Sequence, residues 1–117
     1  MKLWRCQFGE VTNQHEFKSM NGACGEGVYA MFEKDKPMRK YYSQRGENTF
    51  EFEVPDKYVK EVKGLGLSTY WALRERIYEL REQGYKVFVC KHVGIGIPKS
   101  KQILITDPEI ITNIKKL

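Results

Sequence analysis

At 117 residues, the chain is long enough for one folded domain with a modest core, and a hydrophobic fraction of 41% argues against disorder. Lysine and arginine number 20 against 15 acids, a net charge of +5, but the charges are interspersed, which favours a solvated surface over a dedicated nucleic-acid groove. No segment approaches the roughly 20 apolar residues of a membrane span, and no signal-peptide core is visible. The three scattered cysteines and two histidines predict neither a disulfide framework nor a metal site, and together these features predict a cytoplasmic protein.

The N-terminal third predicts two strands separated by a loop. Residues 2–8 (KLWRCQF) alternate, so that side chains at odd and even positions point to opposite faces of a first strand. Residues 9–27 are polar and rich in glycine, which predicts a loop with one short helical turn at most. Residues 27–32 (GVYAMF) form a compact apolar run and predict a second strand.

A helix and an alternating strand are predicted next. In residues 33–46, Asp35 can cap a helix, Pro37 suits its first turn and Gly46 can end it. Residues 48–54 (NTFEFEV) alternate between apolar and polar side chains, as in a half-buried strand. The residues expected to point inward are Phe50, Phe52 and Val54.

The second half begins with an ambiguous segment and then gives the strongest helix signal. Residues 56–67 suggest a short helical turn followed by a glycine hinge. In residues 68–84, Ser68 is a plausible N-cap and Gly84 a residue that follows the last turn. Between them, apolar side chains recur at helical spacing. They are Tyr70, Leu73, Ile77 and Leu80.

The C-terminal region predicts two more strands and a final apolar element. Residues 85–90 (YKVFVC) and 101–106 (KQILIT) are rich in β-forming residues and are joined by a connection of residues 91–100. Asp107–Pro108 predicts a turn, and residues 109–114 (EIITNI) predict a strand or a short helix. The order of elements predicts a single α+β domain.

Three features suggest a ligand site, although each has a plainer explanation. Arg5 lies in an otherwise apolar strand, so it either reaches water at a strand edge or contacts an anion or a ribose. Tyr29 and the helix-borne Tyr41 or Tyr42 could hold a planar ring between them, or could simply pack in the core. Gln102, at the start of a strand after a glycine-containing loop, could meet a ligand or merely begin that strand.

Read in order, these segments resemble the ADP-ribosyltransferase superfamily, in particular its small diphtheria-toxin-like and phage-type members. The resemblance lies in GVYAMFEKDKPMRKYY and in LREQGYKVFVCK followed by KQILITDPEIITNI. It implies an α+β domain over residues 1–117, in which a split β-sheet with flanking helices forms a cleft. It also implies NAD as a substrate, bound without a glycine-rich dinucleotide fingerprint.

The resemblance also implies a role for each candidate residue. Arg5 would contact the adenine-side ribose or a phosphate, and Tyr29 with Tyr41 or Tyr42 would hold the nicotinamide ring. Gln102 stands where the family has its catalytic glutamate and would hydrogen-bond the nicotinamide-side ribose. Glutamine keeps that hydrogen bond but lacks the charge that stabilises the developing oxocarbenium ion, at a typical cost of about 10²–10³ in rate.

An acid elsewhere could replace the missing carboxylate. The nearest candidates in the sequence are Glu26, Glu33 and Asp107.

Three functions follow as hypotheses. The first is transfer of ADP-ribose from NAD to a macromolecular target, plausibly a host protein, by a phage or mobile-element effector. The second is a catalytically degenerate member of the fold that binds a partner protein as an antidefence inhibitor of the anti-CRISPR kind. The third, less favoured, is a small basic nucleic-acid-binding domain. Its contacts would be Lys99, Lys101, Lys115 and Lys116.

Overall fold

A seven-stranded sheet forms the framework of the computed structural model, which describes residues 1–17, 26–32, 48–62, 70–91 and 101–117. The order of strands across the sheet is β4-β5-β6-β2-β1-β3-β7. The β4–β5 pair is parallel and the other neighbouring pairs are antiparallel. The strands are β1 (Lys2–Gln7), β2 (Val28–Phe32), β3 (Asn48–Glu53), β4 (Val59–Val62), β5 (Val87–Lys91), β6 (Lys101–Ile105) and β7 (Thr112–Lys116).

One helix, α1 (Tyr70–Glu82), and three short 3₁₀ turns complete the secondary structure of the described residues. The 3₁₀ turns span Gln14–Glu16, Asp56–Tyr58 and Pro108–Ile110. Within the same residues, no helix is long and apolar enough to cross a membrane.

The sheet curls into a half-barrel around its inner face. Apolar side chains from five of the strands (β1, β2, β3, β5 and β6) meet there in one buried cluster, which we call the inner cluster. Phe17, from the loop after β1, joins it with its ring centroid 5.8 Å from that of Phe50 and 5.2 Å from that of Phe52. The principal members are Leu3, Phe17, Val28, Ala30, Phe50, Phe52, Val87, Val89, Ile103 and Ile105.

The opposite face of the sheet is covered by α1 over strands β4, β5, β6 and β2. Leu73, Ile77 and Leu80 are buried against these strands, which confirms the predicted apolar side of the helix. Gly84 has a φ of 98°, the left-handed conformation that commonly ends a helix. We call this second buried group the helix cluster. Its members from the sheet are Tyr29, Val62, Phe88, Cys90 and Leu104.

Strand β4 was missed because its apolar residues do not alternate. Val59 packs against the inner cluster, whereas Val62 belongs to the helix cluster. Two valines three positions apart imitate the spacing of a helical turn, although here they serve the two faces of one short strand. The last predicted element, left open as strand or helix, is the 3₁₀ turn Pro108–Ile110 followed by β7.

The predicted fold class was wrong. An α+β domain with a split sheet and flanking helices was expected, whereas the described residues are mostly strand, in one seven-stranded sheet with one helix. The error has a physical origin, because both β4 and β7 had been open to a helical interpretation. The helix predicted over residues 33–46 lies outside the described residues.

Strand β2 joins the two halves of the sheet by changing its partner. Its first residues, from Val28 to Ala30, pair with β6, whereas Met31 and Phe32 pair with β1. Gly27, immediately before β2, approaches β6 so closely that a Cβ placed on it would lie 2.5 Å from the carbonyl oxygen of Ile105. Glycine is therefore required where β2 enters the sheet.

Strand β7 forms the edge of the sheet beyond β3. Its pairing with β3 shifts register between Glu51 and Glu53, and Asn113 has a φ of 53°. Lys115 and Lys116 are both exposed on this strand. A bulge and exposed lysines both disfavour the pairing of an edge strand with a strand of another chain.

Candidate functional site

Arg5 is buried at the centre of the sheet, with 4% of its surface exposed. Its Nε donates a hydrogen bond to Oε1 of Gln7 at 3.0 Å, and its Nη1 donates one to the backbone carbonyl of Tyr29 at 2.8 Å. The guanidinium carbon also lies 6.0 Å from the centroid of the Phe17 ring, within the range of a cation–π contact. Arg5 is thus neither snorkelling to water nor exposed at a strand edge.

The position of Arg5 coincides with the point where β1 and β2 part. Backbone pairing between these strands is found at Leu3–Phe32 and Trp4–Met31, and Arg5 is the next residue along β1. From there, the guanidinium reaches across to the carbonyl of Tyr29 and continues the link between the strands. A side chain therefore holds the junction between the two halves of the sheet.

A line of polar contacts extends from Arg5 to the loop after β1. Gln7, itself buried, donates from Nε2 to the carbonyl of Glu16 at 3.3 Å. The Glu16 carboxylate accepts hydrogen bonds from the backbone N–H and the hydroxyl of Thr12, at 2.6 and 2.7 Å. These bonds, the backbone one first, hold the pKa of Glu16 below its usual value.

Tyr29 and Gln102 lie on the face of the sheet opposite the inner cluster. Tyr29 is 1% exposed and belongs to the helix cluster. Gln102 is 7% exposed and faces Cys90 across the β5–β6 pair. It lies two residues before Leu104, the partner of Tyr29, so that Gln102 and Tyr29 share this face on neighbouring strands.

The structure therefore brings the candidate ligand residues together only in part. Arg5 meets the backbone of Tyr29, but the two side chains serve opposite faces, with Arg5 beside Phe17 and the Tyr29 ring beneath α1. Tyr41 and Tyr42 lie outside the described residues. The roles in NAD binding assigned to these four residues and to Gln102 stay predictions.

The acids considered as replacements for a catalytic glutamate are placed differently. Glu26 is exposed ahead of β2. Asp107 forms an ion pair with Lys86 at 2.8 Å and accepts a hydrogen bond from the backbone N–H of Glu109, which caps a 3₁₀ turn. Glu33 lies outside the described residues. In the part of the chain that the structure describes, no group of three or more potential metal ligands is found.

The lysines of the nucleic-acid hypothesis are dispersed. Lys101 pairs with Glu61 at 3.0 Å near one end of the sheet, and Lys116 pairs with Glu10 at 2.7 Å near the other. Lys115 is exposed on β7, and Lys99 lies outside the described residues. The three described lysines therefore lie on two strands that are far apart in the sheet, β6 and β7, and two of them are paired with acids.

Sequence reasoning missed a group of lysines and tyrosines at the β4 edge of the sheet, which we call the lysine–tyrosine edge. Two ammonium groups contact the ring of Tyr58, because Nζ of Lys57 and Nζ of Lys86 each lie 5.0 Å from its centroid. Nearby, Nζ of Lys60 lies 5.4 Å from the centroid of Tyr85. The signal in the sequence was the juxtaposition of lysine and tyrosine in DKYVK and GYK.

The two segments of the lysine–tyrosine edge are held side by side. The backbone N–H of Lys86 donates to the carbonyl of Tyr58 at 3.0 Å. The ion pair between Lys86 and Asp107 raises the pKa of Lys86 and lowers that of Asp107, in both cases mainly through their shared hydrogen bond. Lys86 is thus neutralised locally, and its position over Tyr58 is fixed.

Comparison with known proteins gives a likeness of fold. No protein-family model matches the chain, and no curated protein matches it significantly. A solved structure described as an anti-CRISPR protein superimposes with a TM-score of 0.57 at 12% sequence identity. The match covers 100% of this chain and 95% of that protein. The chain therefore shares its fold, over nearly the whole of both molecules, with an anti-CRISPR protein.

Proposed function

We propose that this protein is an antidefence inhibitor that binds a component of a CRISPR–Cas system, in the cytosol of a host cell. The observation that carries the proposal is the end-to-end similarity of fold to an anti-CRISPR protein. The similarity extends over 100% of this chain and 95% of that protein, so it concerns the whole described sheet and not a single motif. Fold by itself does not fix function, so the proposal depends on direct measurement.

The net charge of the chain argues against one way of inhibition, the imitation of nucleic acid. A protein that occupies a nucleic-acid groove by imitating phosphates must be strongly acidic, whereas this chain carries a net charge of +5. We therefore infer binding to an acidic or mixed surface of the partner, away from a groove that holds nucleic acid.

The test is inhibition of target-DNA or target-RNA cleavage by a panel of purified CRISPR effectors. The protein should abolish cleavage by at least one effector once it is equimolar with it, because a binder acts stoichiometrically. An Ile77→Asp variant, which places a charge in the helix cluster, is the unfolded control and should not inhibit. Full cleavage by every effector in the presence of excess folded protein would refute the proposal.

The function first suggested by the sequence, NAD-dependent ADP-ribosylation of the same kind of target, is the alternative that the assay must separate from binding. The 2.8 Å hydrogen bond from Arg5 goes to the backbone carbonyl of Tyr29, and the two side chains lie on opposite faces of the sheet, so this contact does not favour an NAD site. Under this alternative, inhibition would need NAD, would proceed below equimolar amounts, and would leave one ADP-ribose on an effector subunit, detectable by mass spectrometry. Equal inhibition with and without NAD would exclude it.

A Gln102→Glu variant sharpens the distinction. If an NAD site is present, restoring the carboxylate should raise NAD consumption by about 10²–10³, the typical contribution of one such electrostatic group. A stoichiometric binder would show no NAD consumption in either form.

A further inference from the structure

The lysine–tyrosine edge carries positive charge that its own acids do not neutralise. Each carboxylate that the structure describes near this edge already has a cationic partner. Asp107 pairs with Lys86 at 2.8 Å, and Glu61 pairs with Lys101 at 3.0 Å. Asp56 lies 2.9 Å from the amino group of Met1. Among the described residues, no carboxylate lies within ion-pair distance of Lys57 or Lys60, so the edge carries two cations in excess.

Aromatic surface lies directly beside these two lysines. The Tyr58 and Tyr85 rings are half-buried, so each is anchored against the body of the protein while part of it remains accessible. Tyr58 packs on the inner cluster and Tyr85 on the helix cluster. Anchored tyrosines lose little conformational entropy on binding and are frequent centres of protein–protein interfaces.

We propose that the lysine–tyrosine edge is the surface through which this protein binds an acidic segment of a partner protein. That segment would lie along the β4 edge, where its carboxylates would pair with Lys57 and Lys60. From the edge, its apolar groups would reach Tyr58 on the side of the inner cluster and Tyr85 on the side of the helix cluster. The identification of the partner as a CRISPR–Cas component rests on the proposed function, whereas the surface and its chemistry rest on the contacts above.

The same contacts argue against a nucleic acid as the occupant. A nucleic-acid site follows the backbone with several unneutralised cations, whereas this edge offers two and sets Glu61, Asp56 and Asp107 among them. Those carboxylates would repel a continuous run of phosphates. A protein segment can place its acids against Lys57 and Lys60 and its polar groups elsewhere.

The first experiment uses as the probe a synthetic peptide in which two glutamates are separated by serine and leucine residues, and it follows backbone amide chemical shifts by NMR. Shifts should concentrate at residues 57–60 and 85–86. A Lys57→Glu/Lys60→Glu variant should bind the peptide about tenfold more weakly, because two attractions become repulsions. The matched control is Lys115→Glu/Lys116→Glu, the same charge change on β7 at the other end of the sheet, and it should lose less than about twofold.

Three results would overturn the proposed surface. Shifts spread evenly over all lysine-bearing surfaces would do so, and so would equal weakening in the two variants. The third is tighter binding of an oligothymidylate at residues 57–60 and 85–86, with a steep dependence on salt, which would assign the edge to nucleic acid instead. Thermal melts of both variants establish that each is folded.

The second experiment repeats the effector assay with the same two variants. Lys57→Glu/Lys60→Glu should need about tenfold more protein for half-inhibition, and the β7 control should behave as wild type. If wild type inhibits no effector while the peptide still binds at the edge, the proposed function fails and the surface stands. If both variants inhibit as well as wild type, the partner does not use this edge, and the inference fails while the proposed function stands.

Discussion

Arg5 shows how a single buried cation can hold two strands together. Its guanidinium satisfies the Gln7 side chain and the Tyr29 carbonyl at the point where backbone pairing between β1 and β2 ends. The sequence marked Arg5 as unusual, because arginine is rarely buried without partners. It could not identify those partners, since one is a backbone carbonyl 24 residues away in the chain.

We predict that Arg5→Met destabilises the protein by about 2–4 kcal/mol. Methionine is apolar and similar in length to arginine, but it leaves the Tyr29 carbonyl and the Gln7 amide oxygen without this donor. Each buried polar group that loses its hydrogen bond costs about 1–3 kcal/mol. Urea unfolding measures the change, with Lys2→Met, at the exposed first residue of the same strand, as control, expected below about 1 kcal/mol. Equal losses in the two variants would mean that Arg5 has no special structural role.

Asp107 and Lys86 make part of the stability depend on pH. Folding lowers the pKa of Asp107, mainly through the hydrogen bond from Lys86. A carboxyl group of this kind adds stability above the pKa it has in the unfolded chain, and that stability is lost as the pH falls through the lowered pKa. The pKa of Lys86 is raised by the same pair. The stability that protonated Lys86 adds is therefore lost at alkaline pH, as the pH rises through that raised pKa.

We predict that Asp107→Asn removes this dependence while leaving the local turn intact. Asparagine keeps an oxygen that can accept the hydrogen bond from the N–H of Glu109, so the variant loses the charge and retains the cap. Wild type should be more stable near neutral pH, and the two proteins should converge as the pH falls below the lowered pKa of Asp107. Urea unfolding at a series of pH values measures this, and a gap that stays constant down to strong acid would contradict it.

Among the elements, α1 was the most predictable and β4 the least. The apolar side chains of α1 follow one period over several turns, so that its buried side could be read directly from the sequence. β4 is four residues long and divides its two valines between two faces. Its place beside β5 depends on a parallel pairing with residues 87–90, which no local pattern encodes.

We predict a sharp contrast between neighbouring residues of α1. Ile77→Ala should cost about 2–4 kcal/mol, because Ile77 is 3% exposed and its truncation leaves a cavity in the helix cluster. Tyr78→Ala, one residue later and 65% exposed in wild type, should change stability by less than about 0.5 kcal/mol. Thermal and urea unfolding of the two variants measure the contrast. Similar losses of stability in both variants would contradict the structure, in which Ile77 faces the sheet and Tyr78 faces solvent.

At the scale of the whole molecule, the sequence predicted most strands but not the sheet that they form. The alternation of residues 48–54 correctly identified Phe50, Phe52 and Val54 as buried. Strand order, in contrast, is decided by pairing between distant segments, such as β3 with β7 across about half the chain. The predicted strand arrangement was taken from the resemblance to ADP-ribosyltransferases, and that prediction was wrong.

The arrangement of strands predicts the order in which backbone amides of the sheet exchange with solvent. β2 and β6 lie inside the sheet with neighbours on both sides, whereas β7 pairs on one side with β3 and is mostly exposed. Backbone amides of β2 and β6 should therefore exchange with solvent most slowly, and those of β7 most rapidly. Hydrogen exchange followed by NMR measures this order, and protection of β7 equal to that of β2 would contradict it.

The kinked, lysine-bearing β7 also bears on how copies of this protein behave when crowded. A second copy aligned along the same edge would set ammonium groups against ammonium groups and would meet the irregular backbone at Asn113. Edge-to-edge association of copies through β7 is therefore disfavoured, which lowers the tendency of the protein to aggregate at high concentration.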